Sequence, residues 1–305
     1  MDLRQLAALC AVADHHSFSG AARALHTVQS NVSTHVARLE AELGAILIDR
    51  ATGSPTEKGE LVVARARRVQ AELDALAGDL ASADDQVSGN VRLGVIGTTG
   101  RWLVPILLPA VAHSHPRVRI VVVDATTTSL LPQLLDARLD LAVLNLPLAH
   151  PDIEVEPLFD EDRILVAPED HALAGHDRIT IGELAAHPLL LEPQGTAFRD
   201  DLDLDAARAG ETLSPLAEID GMRLLATLAF GGYGPAVLPA TAAPPTMAGG
   251  PWRRVAVADL TRRSVGIAIR RRSRLSSPSQ AVRKILRQVV AAEGPNHPGV
   301  HTPES

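Results

Sequence analysis

The chain holds one cysteine, Cys10, among 305 residues. A lone thiol cannot close an internal disulfide, so a sensor built on one is excluded. Cys10 stands among Leu6, Leu9 and Ala13, where a small buried apolar residue is expected. Long apolar runs are also missing. None reaches the roughly 18 to 20 residues that span a bilayer. The opening Met1-Asp2-Leu3-Arg4-Gln5 lacks the basic and then apolar pattern of a secretory leader. A cytoplasmic protein without membrane contact is therefore expected. His113, His115, His171 and His176 have no cysteine or carboxylate cluster to complete a metal site, so no metal is expected. No nucleophile, base and oxyanion donor form a recognisable set, so neither a catalytic residue nor an enzyme activity is predicted, and no resident cofactor.

Two stretches lack acidic residues although the net charge is -7. His15 to Leu39 has none and carries Arg23, Arg38, His26 and His35. Thr261 to Ala292 has none and carries Arg262, Arg263, Arg270, Arg271, Arg272, Arg274, Arg283, Lys284 and Arg287. An acidic chain can still present a local nucleic-acid face.

Asp2 with Gln5 predicts a capping box, followed by Leu3, Leu6, Leu9, Cys10 and Ala13 at helical spacing. Ser17 caps a second helix with Phe18, Ala21, Ala22 and Leu25 inward. A third helix places Val32, Val36, Leu39 and Leu43 on one side and Gln29, Ser30, Ser33, Thr34 and Arg38 on the other, before Gly44 ends it. Two short helices joined tightly, the second apolar on one face and hydrogen-bonding on the other, read as a helix-turn-helix. From Glu57 a long helix carries Val62, Ala66, Val69, Leu73, Leu76 and Leu80 at steps of four and three. That seam predicts a dimer.

After a polar linker, Ser82 to Asn90, the pattern changes to alternating strands and helices. Strands are predicted at 91–96, 118–123, 139–144, 164–167, 189–191, 236–238 and 265–269. Helices are predicted from Thr98-Thr99 to about His115, and at 129–138, 198–209, 222–230 and 279–292. Such alternation predicts α/β architecture with parallel sheets. Pro105 and Pro109 are expected to kink or shorten the first of these helices.

Ser17-Phe18, Ala21-Ala22, Leu25, Gln29, Ser33, Leu39-Glu40, Leu43-Gly44, Leu47, Arg50, Thr56 and Gly59 occur in an order and spacing that resemble the LysR-type transcriptional regulators. Pro116, Leu139-Asp140-Leu141-Ala142, Pro157-Leu158, Gly232-Tyr233-Gly234 and Leu238-Pro239 extend the resemblance along the chain. It implies a winged helix-turn-helix at 1–58 and a dimerising linker helix at 59–87. A two-lobed effector domain, like a periplasmic binding protein, would follow at 88–293, with a disordered tail at 294–305. Lobe I would take about 91–161 and 266–293, and lobe II 162–265. The implied partners are double-stranded promoter DNA, a small-molecule co-inducer and a second copy, as a homodimer or homotetramer, with RNA polymerase as a further contact. The rivals are a cytoplasmic solute-binding protein or an enzyme on the same lobed fold.

On this resemblance the DNA-contact residues are Gln29, Ser30, Asn31, Ser33, Thr34 and Arg38. Ser30 and Thr34 stand where family members often carry Pro and a basic residue, which implies a different operator preference. Ala51 to Pro55 forms a short wing without a basic residue, and Pro55 replaces the usual Leu. Thr98, Thr99, Thr126 and Thr128 follow two strands and would line the effector cleft, with Thr196 and Tyr233 as walls from lobe II. Threonines and free N–H groups at helix starts suit an acceptor such as a carboxylate, and a neutral polar ligand equally. The basic stretch near the C-terminus is expected to serve the fold.

Overall fold

The computed structural model describes residues 1–82, 87–243, 250–271 and 274–303. Part of the predicted linker, Arg272 of the basic stretch and the last two residues of the tail lie outside them.

Three helices build the N-terminal domain: α1 (Leu3–His15), α2 (Phe18–Ala24) and α3 (Gln29–Leu43). Asp2 and Gln5 form the predicted capping box on α1, and Ser17 caps α2. Gly44 ends α3 at φ +63°, in the left-handed region that a side chain disfavours. Leu9, Val12, Ala21, Val32, Val36, Leu39 and Leu47 close one core. The wing is reduced to one bridge, Ile48 to Pro55. Gly53 makes its turn at φ +70°, so close to the His16 carbonyl that a Cβ would lie 2.2 Å from the oxygen.

Helix α4 (Glu57–Ser82) runs for 26 residues, about 39 Å at 1.5 Å per residue. Its predicted seam divides. Val63 and Ala66 are buried against the N-terminal core and Val62 packs on it, whereas Val69, Leu73, Leu76 and Leu80 remain exposed. The helix also leans on the domain behind it. Arg67 is buried between Asp14 at 2.5 Å and Asp136 at 3.6 Å, and Asp79 accepts from the Ser277 N–H and hydroxyl at 2.8 and 2.6 Å.

The remaining chain forms two α/β lobes, each around one mixed six-stranded sheet. Lobe I takes β1 (Ser88–Ile96), α5 (Gly97–Ser114), β2 (Arg117–Ala125), α6 (Thr127–Leu135), β3 (Leu141–Leu146) and β4 (Ile153–Glu161). The chain crosses at Asp162 into lobe II. There it forms β5 (Arg163–Pro168), β6 (Arg178–Ile179), α7 (Ile181–Ala185), β7 (Leu189–Leu191), α8 (Ala197–Arg208), β8 (Pro215–Glu218), α9 (Met222–Phe230), β9 (Ala236–Pro239) and β10 (Trp252–Val257). It returns through β11 (Arg263–Arg270) and α10 (Ser277–Glu293), and ends with β12 (Val300–His301).

The purely parallel expectation needs correction. In lobe I, β1 is parallel to β2 and β3, but β11 is antiparallel to β3 and β4. In lobe II, β5 is antiparallel to β9 and β10. Strands that carry the chain between lobes, or return it, enter from the opposite end. Strand β11 begins at Arg263, three residues before the expected return to lobe I. Pro105 and Pro109 lie inside α5 without shortening it. The tail was expected to be disordered. Residues 294–303 instead pack on lobe I: β12 pairs with Asp160 and Glu161, and His297 is buried with its ring 5.4 Å from that of Trp102.

Candidate nucleic-acid interface and effector cleft

Helix α3 separates its two faces except in its last turn, where Leu43, expected on the apolar side, is 42% exposed. Val32, Val36 and Leu39 are fully buried, while Gln29, Ser30, Asn31, Thr34 and Arg38 are exposed and Ser33 is half-buried. The six predicted contact residues thus share one solvent-facing surface. Their local bonds order it. The Ser19 hydroxyl donates to Gln29 Oε1 at 2.7 Å, and Asn31 Nδ2 donates to Thr27 Oγ1 at 3.0 Å. The Thr34 hydroxyl donates to the Ser30 carbonyl at 2.8 Å, so its oxygen retains acceptor capacity.

Arg50 was not among the predicted contacts, yet it joins this surface. Its guanidinium lies 4.9 Å from the Phe18 ring centre and donates to Ser33 Oγ at 3.4 Å and Glu40 Oε2 at 2.7 Å. Burial works to raise the Glu40 carboxyl. The N–H groups of Leu47 and Ile48 and the Arg50 charge outweigh it and hold Glu40 below the usual carboxylate range. Only the tertiary turn after α3 brings Arg50 beside Ser33; the one sequence signal was its place at the end of the motif.

A cleft of about 510 Å³ lies between the lobes. Thr98, Thr126 and Thr128 line it from lobe I and Thr196 from lobe II, as predicted positions. Thr126 caps α6, its hydroxyl 2.9 Å from that of Thr128. Two of the predicted wall residues need correction. Thr99 is fully buried, because one residue of helix turns it away from Thr98 and into the protein. Tyr233 is 73% exposed and outside the cleft. A Gly231-Gly232 turn, with Gly232 at φ +77°, folds its ring back over Gly231.

The charged members of the cleft were missed by sequence reasoning. Arg223 of α9 bridges the lobes to Asp124 at the end of β2, with an N–O distance of 2.6 Å. That contact passes over Gly97, where a Cβ would stand 2.9 Å from Asp124 Oδ1. Arg263 reaches the cleft from the start of β11. Its Nε donates to the fully buried Glu161 at 2.9 Å, and its Nη2 donates to Thr98 Oγ1 at 3.1 Å. Glu161 also accepts from the Thr241 N–H at 2.8 Å. Glu192 and Asp220 complete the lobe II wall. Burial, and then the neighbouring Asp220 charge, push the Glu192 carboxyl above its ordinary range.

The basic stretch near the C-terminus is largely engaged. Arg283 and Arg287 pair with Glu156 at 2.6 and 2.9 Å, Arg262 pairs with Asp162, and Arg270 donates to the Leu134 and Leu139 carbonyls. Among the described residues, no helix is long and apolar enough to cross a membrane.

Comparison with known proteins follows the same division. Residues 3–60 match the model of the bacterial regulatory helix-turn-helix protein, lysR family, and residues 84–291 match the LysR substrate binding domain. A "Probable hydrogen peroxide-inducible genes activator" from Streptomyces viridosporus is 38% identical over 245 residues, covering 79% of this chain and 78% of that protein. The "DNA-binding transcriptional dual regulator OxyR" of Escherichia coli K12 is 30% identical over 310 residues, covering 95% of this chain and 100% of that protein. Among solved structures, a cysteine-to-aspartate variant of full-length OxyR from Pseudomonas aeruginosa superposes with a TM-score of 0.75 at 28% identity. It covers 95% of this chain and 94% of that one.

Proposed function

The chain belongs to the LysR family of bacterial transcriptional regulators, and from that premise we propose that it reads promoter DNA with α3 and reports a small molecule held between its lobes. The observation that carries the DNA reading is the exposed polar face of α3 opposite a buried apolar one. Gln29, Ser30, Asn31, Ser33 and Thr34 are sized for base edges and phosphates, and Arg38 supplies charge. The helix-turn-helix argues against the solute-binding and enzyme readings, neither of which needs such a face.

The exposed row Val69, Leu73, Leu76 and Leu80 takes the same row of a second copy, which would place two α3 helices on two half-sites. Arg67 and its two carboxylate partners connect the DNA-binding domain to lobe I, giving a closing cleft a route to α1. The protein acts in the cytoplasm, where its promoter is.

The relatives' names concern hydrogen peroxide, and the Pseudomonas structure carries a cysteine substitution. This chain's one thiol is buried in the DNA-binding domain and not in the effector domain. We therefore infer that its signal is a reversibly bound ligand and not thiol oxidation.

The test is operator binding by fluorescence anisotropy, on a promoter fragment recovered by genomic binding-site mapping. Arg38→Ala should weaken binding across sequences and flatten the salt dependence by about 0.9 per lost phosphate contact. Ser33→Ala should weaken it with little change in that slope. Unchanged affinity in both variants, with intact circular dichroism, would remove α3 from the interface.

A further inference from the structure

Thr98 at the start of α5 and the threonine row at the start of α6 suit an acceptor group on the ligand, and taken alone they favour an anion. The charges around them point the other way. Both arginines that reach the cleft are neutralised inside the protein: Arg223 by Asp124 and Arg263 by Glu161. Glu192 and Asp220 face the same space from lobe II and have no ion pair among the described residues. The Met222 N–H of α9 and the Thr196 side chain hydrogen-bond Glu192, and the Arg263 charge, already paired with Glu161, draws its carboxyl down; burial and the Asp220 charge outweigh all three. A helix terminus carries only about half a charge, so it cannot offset two carboxylates. The upward displacement of Glu192 under burial and the Asp220 charge marks this imbalance.

A second feature is independent of the carboxylates. Asn145 lines the opposite wall, on β3, and its Oδ1 is buried with no hydrogen-bond donor among the described residues. A buried amide oxygen without a donor is costly. An anion would aggravate it, and an N–H group would satisfy it. Met222 and Phe198 add apolar surface to the lobe II side.

We propose that the cleft takes a small organic cation, an amine or guanidinium compound, with its charged nitrogen held by Glu192 and Asp220 and an N–H directed to Asn145. This rests on the cleft being the effector site. The cation supplies the charge that lobe II lacks and donors that the protein does not offer. The threonine hydroxyls, which donate or accept, serve whatever polar group the ligand carries at its other end. The Arg223–Asp124 bridge then spans the two lobes beside the ligand, so that closure of the cleft and capture of the cation support each other.

Three four-carbon probes that differ only in their ends test this on the full-length protein: putrescine, 1,4-butanediol and succinate, at matched ionic strength. Unfolding is followed by intrinsic fluorescence of Trp102 and Trp252. At ten times its dissociation constant, putrescine should raise Tm by about 2 °C. The diol should act weakly and succinate not at all. The putrescine response should vanish in Glu192→Gln with Asp220→Asn, and fall at least tenfold in apparent affinity in Asp220→Asn alone. The single variant keeps the test decisive if the double one folds poorly. Silence from putrescine, or a putrescine response indifferent to both variants, overturns the inference. Stabilisation by succinate that Thr128→Val abolishes would overturn the cation while leaving the cleft as the effector site. Stabilisation by any probe that ignores Glu192→Gln, Asp220→Asn and Thr128→Val alike would reject the cleft itself.

Discussion

Replacing Arg263 by methionine keeps most of the side chain's volume and removes its charge. In the folded protein this strands Glu161. Its carboxylate is fully buried, and without Arg263 it keeps only the Thr241 N–H as a hydrogen-bond donor. Removing one partner of a buried ion pair costs about 3–5 kcal/mol, because the remaining charge cannot reach water; the other cation that feels Glu161, Arg254, donates instead to the Ala243 and Pro298 carbonyls. The Thr98 hydroxyl also loses the guanidinium it accepts from. With a urea m-value of about 2–3 kcal/mol/M, the unfolding midpoint should fall by roughly 1–2 M. Trp102 in lobe I, edge-on to Phe159 at 5.3 Å, and Trp252 in lobe II report each lobe by fluorescence. A second substitution separates charge from packing. Glu161→Gln keeps an amide oxygen for the Thr241 N–H and removes the unpaired charge. Arg263→Met with Glu161→Gln should therefore recover all but about 1–2 kcal/mol. A loss below about 1 kcal/mol in Arg263→Met, or no recovery in the double variant, would show that Glu161 is solvated and that the pair does not hold the crossover.

Val69→Asp with Leu76→Asp places charges on residues that are 42% and 57% exposed in the single chain, so the fold should survive. Sedimentation should then show monomers, with operator affinity sharply reduced; a dimer that persists would refute the seam. Burial pushes the Cys10 thiol up to about 11. At pH 8 about one thiol in a thousand is then ionised, and iodoacetamide should label the native protein at least about a hundredfold more slowly than the unfolded chain. Hydrogen peroxide should leave operator affinity unchanged. A peroxide response that Cys10→Ser removes would overturn the reversible-ligand reading.

The DNA-binding half was legible in the sequence because its information is local. The polar and apolar faces of α3 are set by steps of three and four residues, and the caps at Asp2 and Ser17 act within one turn. The seam of α4 was legible for the same reason, except that periodicity could not say which half meets the chain's own core. The absence of a thiol from the effector domain is likewise a property of composition alone.

The cleft was legible only in outline. Threonines at helix starts marked where strands end, but its charge depends on pairs far apart in the chain. Arg263 finds Glu161 across 102 residues, and Arg223 finds Asp124 across 99. Until the two sheets are stacked and the chain has crossed twice between them, nothing in the order of residues tells a neutralised arginine from a free one. Arg263 reads as a strand-end cation, Tyr233 as a binding aromatic and the tail as loose polymer. In the folded chain Arg263 lies in the cleft, Tyr233 is turned out by a glycine pair, and residues 294–303 close the edge of lobe I. A side chain's helical or strand face follows from its own neighbours in sequence, whereas the sign of a cleft is set by which charges the tertiary fold brings within a few ångströms of one another.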